Sequence, residues 1–379
     1  MTRRSDVLFV TNFCPHYRVG AFEQLANRVA VRFYFFSDGK ERYWEKRNPI
    51  GQGKFEAETL AGFNVFGRVR IPRRLLWRMS IDSYEVMVKC TNGLLLLFAA
   101  YALAQIRRKK FILWQTIWYL PRTLFHRLAF PLLRFVWFHA DAIVTYGLHG
   151  RDYLVGNGVA PDKIFVAPQA VDNARFDRIF SVAEKAKVLQ RYGLEGKNVI
   201  LYVGQLIPVK GIEYLLEAYA KMQTADTALV LIGDGPLERE LRAKAGGMQN
   251  VSFLGYVDQH EIVGLYAIAS VFVLPSVSLP TIREAWGLVV NEAMNQGCPV
   301  VVTDAVGAGV GGLVANGKNG FVVPERNPTA LAEAIHAILS DPGLAARLGE
   351  AARTAVSYYD HQHWANGFVE ALKYVRRSR

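Results

Sequence analysis

The sequence is poor in cysteine, in long apolar runs and in clustered metal ligands. Its three cysteines, Cys14, Cys90 and Cys298, are odd in number and share no metal or redox spacing. That excludes a disulfide framework and points to a reducing cytoplasm, with each thiol a small buried hydrophobe. The longest apolar run, Leu94–Ala104, has eleven residues, against the roughly 20 that a spanning helix needs. A buried helix is expected there, and no transmembrane anchor. Val7–Val10, after Arg3 and Arg4, is too short for the core of an export signal and reads as a first buried strand. Of eight histidines, His361 and His363 alone lie close together, without cysteine or acidic partners at zinc-ligand spacing. Both are expected on the surface. The Walker A pattern is missing, which argues against phosphoryl transfer from ATP.

What the chain has in excess is positive charge, and it is unevenly placed. The net charge is +12, and residues 1–178 hold 27 Lys/Arg against 14 Asp/Glu, so the whole excess lies in the first half. Between Gly67 and Arg134 stand 13 basic residues and two acidic ones, Asp82 and Glu85. Such asymmetry speaks of partners rather than of fold.

The length of 379 residues suits two domains, and a hydrophobic fraction of 51% supports real cores. In the second half, short apolar runs at Val199–Val203, Ala228–Ile232, Val251–Leu254, Val271–Leu274 and Pro299–Thr303 alternate with helical segments. That is the pattern of a parallel sheet covered on both faces. The first half repeats it at Val7–Thr11, Ala30–Phe36, Phe111–Trp114, Ala142–Thr145 and Ile164–Ala167, with helices over Gly20–Arg28, Leu94–Arg107 and Thr123–Phe138. We expect an α/β protein of two Rossmann-like, doubly wound domains facing across a cleft. Residues 1–175 form the first and 176–357 the second, and a helix at 358–379 packs back on the first. Ligands of such sheets bind at the carboxyl ends of the strands.

The segment Leu274–Thr303 carries the most chemistry. A strand leads through the loop Pro275–Arg283 to Glu284, then Gly287, then a helix bearing Glu292. A helix N-terminus attracts anions through its unpaired N–H groups and its dipole. A diphosphate there would leave a carboxylate on either side for sugar hydroxyls. Spacing alone equally suits two glutamates that simply charge the start of a helix.

The run Glu284–Ala285–Trp286–Gly287–Leu288–Val289–Val290–Asn291–Glu292, followed by Gly297 and Pro299–Val300–Val301, resembles the E-x7-E signature of the retaining, group 1 glycosyltransferases of the GT-B type. Further segments agree in order: Tyr202–Val203–Gly204–Gln205–Leu206 with Lys210–Gly211, then Leu231–Ile232–Gly233–Asp234–Gly235–Pro236, Val251–Ser252–Phe253–Leu254–Gly255–Tyr256–Val257, and Asn319–Gly320–Phe321–Val322–Val323. The resemblance implies transfer of a sugar from a UDP- or GDP-linked donor to a saccharide or lipid-linked acceptor, with retention and without a metal. A bacterial enzyme of cell-surface polysaccharide or glycolipid synthesis fits it. In this resemblance Lys210 contacts the donor diphosphate, Glu284 holds the sugar and Glu292 the ribose. The backbone at Trp286, Gly287 and Leu288 supports sugar and phosphate, Gly233, Tyr256 and Val257 line the nucleotide side, and Gly20 lets a first-domain loop approach the phosphates. No cofactor is implied, since the nucleotide-sugar is a substrate. No Asp-x-Asp pair occurs for a metal-diphosphate clamp.

The chain departs from the family at two places. Gln205 stands where an arginine is usual, with Arg283 nearby as a substitute cation or a solvated loop residue. The stretch Leu113–Trp114–Gln115–Thr116 lacks the usual histidine, leaving Gln115 or Thr116 to position the donor sugar. Between Ile106 and Phe138, arginines and lysines interleave with Phe, Trp and Tyr, which suits the headgroup layer of an anionic membrane. A peripheral contact through residues 67–138 on the inner face of the plasma membrane is expected. Nucleic-acid binding is not, since no recognition motif accompanies the charge. A nucleotide-sugar epimerase of the same fold is the alternative.

Overall fold

Val7–Thr11 is a run of five residues without a polar side chain before its last, and all five are buried. A strand buried on both faces belongs inside a parallel sheet covered by helices. In the computed structural model, which describes residues 6–37, 52–60, 62–65, 69–71, 73–222 and 225–377, this strand is β1. The strands that follow are β2 (Val31–Phe35), β3 (Ala57–Thr59), β4 (Phe63–Val65), β5 (Val69–Ile71), β6 (Val86–Cys90), β7 (Lys110–Gln115), β8 (Ala142–Thr145) and β9 (Ile164–Val166). Seven of them form one sheet in the order β3-β2-β1-β6-β7-β8-β9, parallel throughout. β4 and β5 pair antiparallel beside it as a two-stranded ribbon.

Four helices of this part matter below: α1 (Val19–Ala26), α2 (Arg73–Ile81), α3 (Leu94–Ile106) and α4 (Leu124–His139). Right-handed crossovers place α1 on one face of the sheet and α3 and α4 on the other, because the strand order runs opposite ways from β1. The helix His361–Arg377 joins the same unit and packs on α1, β7, β8 and β9. Its Trp364 and Phe368 complete an aromatic core with Phe9, Phe22 and Trp114. The chain accordingly divides into a first unit of residues 1–170 and 360–379 and a second of 171–359.

The second unit holds β10 (Asn198–Val203), β11 (Thr227–Ile232), β12 (Val251–Gly255), β13 (Val271–Leu274), β14 (Val300–Thr303) and β15 (Phe321–Val323). Their order is β12-β11-β10-β13-β14-β15, all parallel. The order reverses between β10 and β13. That is the topological switch point, where doubly wound sheets open a crevice for ligands.

β6 was not expected, because Lys89 interrupts its apolar run, yet Lys89 is wholly buried. Its ammonium donates to the carbonyls of Cys90 (2.6 Å) and Asn92 (2.7 Å), and burial lowers its pKa. The histidines expected on the surface are half-buried instead. His361 lies against Gly20, and His363 contacts Asp360 at 2.8 Å through Nδ1. All three cysteines are free and buried. Among the described residues no helix is long and apolar enough to cross a membrane. Residues 67, 68 and 72 of the basic stretch, and Arg3, Arg4, Ser378 and Arg379, lie outside the described residues.

Candidate functional site

Three loops meet at the carboxyl ends of β10, β11 and β12. Gly204 N donates to Ile232 O (3.0 Å), Leu206 N to Asp234 O (2.8 Å) and Gly233 N to Gly255 O (2.8 Å). The approach is closest at Gly233, where φ is +127° and a β-carbon would stand 2.0 Å from Gly204 O. Gly233→Ala is therefore expected to push these loops apart and destabilise the protein by about 2 kcal/mol or more. Chemical denaturation measures the effect, and a change below about 0.5 kcal/mol would show that the loops are not tightly coupled.

Lys210 ends the 3-10 turn Pro208–Lys210 beyond β10, and Glu284 lies in the loop beyond β13. The two loops are joined by Val277 N donating to Val209 O (2.8 Å). The Lys210 ammonium donates to Glu284 Oε2, and Ser276 Oγ donates to the same oxygen at 3.3 Å. Both side chains are largely covered, at 14% and 16% exposed. A lysine and a carboxylate from opposite sides of the switch point thus share one crevice.

The backbone of Glu284 forms a bridge with Val306, and Ala308 N donates to Trp286 O (2.8 Å), which fixes the 284–287 segment against the loop after β14. Trp286 is an interior residue, 2% exposed. Its indole N–H donates to Asn291 Oδ1 (2.8 Å), and its ring lies 5.7 Å from that of Tyr359. Gly287 caps the helix Leu288–Asn295 with φ +90°, a conformation that favours glycine and turns the chain into the helix. Leu288 opens that helix, whose first N–H groups have no intrahelical partner.

Glu292, in the same helix, meets a different environment. It is half-buried, and Tyr266 OH donates to its Oε2 at 2.8 Å. Burial raises its pKa to about 7, against the opposing pull of the Tyr266 hydrogen bond and the Arg175 charge. Arg175 itself donates to Gln259 Oε1 (2.6 Å). Gln205 is half-buried, its carbonyl accepting from Tyr202 OH (2.9 Å), and burial lifts the Tyr202 phenol well above its ordinary pKa. Arg283 is half-buried as well. Tyr256 is exposed and Val257 buried in the loop after β12.

The structure therefore brings Lys210, Glu284 and the start of the Leu288–Asn295 helix together, with Gln205 and Gly233 on the adjoining loops. Gly20 belongs to the first unit, where a β-carbon would fall 2.2 Å from His361 Nδ1; a close helix contact accounts for its small size. Gln115 also lies in the first unit. Its Oε1 accepts from Thr91 and Trp137 (3.1 Å each) and its Nε2 donates to Ile117 O (2.8 Å), so its amide is spent inside the fold. Thr116 is buried beside it. Sequence reading missed Ser276, Tyr266 and Arg175, which come from a loop, an apolar helix and the junction and carry no motif. Among the described residues no cluster of three or more His, Cys, Asp or Glu side chains could hold a metal ion.

Residues 184–355, which contain this whole arrangement, match the family model described as glycosyl transferases group 1. The chain also has the fold of HepE from Anabaena, whose crystal structure contains UDP: the TM-score is 0.77 over 97% of this chain and 99% of that one, at 20% identity. Two doubly wound units with that likeness define a GT-B protein. It belongs to the group 1 glycosyltransferases. The chain is 30% identical over 239 residues to alpha-D-kanosaminyltransferase of Streptomyces kanamyceticus, covering 61% of this chain and 60% of that protein. It is 31% identical over 249 residues to D-inositol 3-phosphate glycosyltransferase of Rhodococcus jostii, covering 62% and 52%. The matches thus span between about half and three fifths of these relatives' own length.

Proposed function

We propose that the protein is a retaining glycosyltransferase that takes a sugar from a UDP- or GDP-linked donor bound by the second unit and passes it to a saccharide or lipid-linked acceptor received by the first. The observation that carries this reading is the meeting of Lys210 and Glu284 at the switch point beside a helix N-terminus. In this reading the Lys210 ammonium and the helix N–H groups support the diphosphate as its bond to the anomeric carbon breaks. Glu284 accepts hydrogen bonds from sugar hydroxyls and Glu292 from the ribose. The acceptor hydroxyl attacks on the face the diphosphate leaves, and a diphosphate oxygen takes its proton, which gives retention without a covalent enzyme intermediate. No step uses a metal. The complexes of HepE with UDP and with UDP-glucose support a UDP-linked donor by analogy. Incubating the protein with a panel of labelled nucleotide-sugars, with and without an acceptor extract, tests the reading. Labelled product that requires the acceptor is expected, and isomerised donor with no acceptor requirement would indicate an epimerase instead.

The reading also places the first unit on an anionic membrane. α4 buries Ala129, Leu133, Val136 and Trp137, yet its opposite side exposes Leu124, Leu128, Leu132 and Phe135, with Leu128 72% exposed. Arg127 and Arg134 are exposed along the same helix. Between α3 and α4 lies an apolar cavity of about 670 Å3, lined among others by Phe98, Tyr101, Ile106, Leu132 and Phe135. An exposed apolar stripe edged by arginines suits the headgroup boundary of the inner face of the plasma membrane. Part of the basic stretch is spent elsewhere: Arg107 donates to Met79 O (2.8 Å) and Asp82 O (2.9 Å), and Lys110 pairs with Asp141 (2.9 Å). Co-sedimentation with vesicles containing phosphatidylglycerol is expected for the native protein and to fall at least about tenfold in the Leu128→Asp, Leu132→Asp double variant. Equal pelleting of the two would remove the membrane role of α4.

A further inference from the structure

The first unit carries a positive charge that nothing in the fold neutralises. Arg18 ends the 3-10 turn His16–Arg18 that leads from β1 into α1, and it is 6% exposed. Its guanidinium carbon lies 5.1 Å from the ring centre of Trp114, 5.6 Å from Tyr17 and Trp364, and 5.7 Å from Tyr146. Trp114 stands near the end of β7 and Tyr146 directly follows β8. The cation therefore sits at the carboxyl ends of β1, β7 and β8, where sheets of this kind receive ligands.

Among the described residues no carboxylate forms an ion pair with Arg18. The ionisable groups around it stay neutral, since burial raises the pKa of Cys14 and of Tyr146 to about 12 and raises that of Tyr17. Aromatic rings return about 0.5–2 kcal/mol to a desolvated cation. Leaving a charge buried without a counter-charge costs about 3–5 kcal/mol, so the rings alone do not balance it. The same cluster contains idle hydrogen-bonding groups: the indole N–H of Trp114, the indole N–H of Trp364 and the hydroxyl of Thr116 are buried without a partner. A guanidinium with two idle indole donors and no ionised acceptor is the complement of an oxyanion. Phosphate, with three terminal oxygens, suits this number of donors better than a carboxylate with two.

We propose that Arg18 binds a phosphate group carried by the acceptor, which makes the acceptor of this protein a phosphate-bearing molecule. The word acceptor rests on the glycosyltransferase reading, whereas the phosphate site itself does not. Inorganic phosphate and glycerol 3-phosphate are titrated into the full chain, into Lys210→Ala and into Arg18→Gln, with binding read by calorimetry and by melting temperature. Lys210→Ala, with its other candidate phosphate contact removed, is expected to keep saturable phosphate binding, and Arg18→Gln to weaken it at least about tenfold. Loss of all phosphate binding in Lys210→Ala overturns the proposal whether or not Arg18→Gln folds, as does native-like binding by a folded Arg18→Gln. Phosphatidylglycerol vesicles form a second arm: weaker retention by Arg18→Gln assigns the phosphate to a lipid headgroup, and unchanged retention with weakened glycerol 3-phosphate assigns it to a soluble acceptor. Absence of sugar transfer alongside intact phosphate binding would count against the proposed function and leave this site standing.

Discussion

Lys210→Ala and Glu284→Ala are each expected to lower sugar transfer by roughly 100-fold or more. The reason is that both act where charge develops. Removing one preorganised electrostatic group from a transition-state site typically costs about 10²–10³ in turnover. Lys210 is the ammonium nearest Glu284, and the pair is largely covered, so no bulk water substitutes for it. The two variants should differ in their other readouts. Lys210→Ala leaves Glu284 with Ser276 Oγ but no cation, and so lowers stability as well as activity. Lys210→Arg keeps the charge and should recover part of the activity without restoring the geometry. Steady-state kinetics combined with thermal melting separates the effects. Native turnover in both alanine variants would contradict the site.

The second large effect concerns Glu292. Burial raises its pKa from the ordinary 4.5 to about 7. The folded protein therefore holds a proton between those values that the unfolded chain has released. Stability is expected to fall as pH rises from about 4.5 to 7, by up to about 3 kcal/mol, and to level off above. Glu292→Gln cannot ionise, so its stability should lack this slope and exceed that of the native protein at pH 8. The same change removes the carboxylate proposed for the ribose, so donor affinity should drop about tenfold as stability rises. Denaturant unfolding at pH 5 and pH 8 tests the sign. A native-like slope in Glu292→Gln would place the titration elsewhere.

Much of the fold was legible because its strands are fully buried and therefore apolar from end to end. Val199–Val203 and Val271–Leu274 needed little beyond periodicity, and the glycines at 204, 233 and 255 mark the turns that close them. β6 was lost because Lys89 sits in its interior, where the ammonium is satisfied by two carbonyls of the following turn. β3 was lost because Ala57–Thr59 is exposed and carries no pattern.

The site was legible as far as its motif reached. Glu284, Lys210, Gln205 and Gly233 lie on loops that the topology brings to the switch point, whereas Tyr266 and Arg175 meet Glu292 through tertiary contacts that no local pattern encodes. Trp286 was read toward the ligand for its place in the motif, but contributes through its backbone, its ring filling the core beside Tyr359. Gln115 shows the same limit in the first unit. A polar residue after a strand invites a functional reading, and only its three partners reveal that it braces the fold.

The central claim is that the second unit binds a nucleotide-sugar through Lys210 and Glu284. Thermal melting of the full chain against a panel of UDP- and GDP-linked sugars tests it directly, because a ligand that binds only the folded state raises the melting temperature. At least one donor is expected to stabilise the native protein, with the shift lost in Lys210→Ala and kept in Arg18→Gln. No stabilisation by any donor, or an equal shift in Lys210→Ala, would contradict the account.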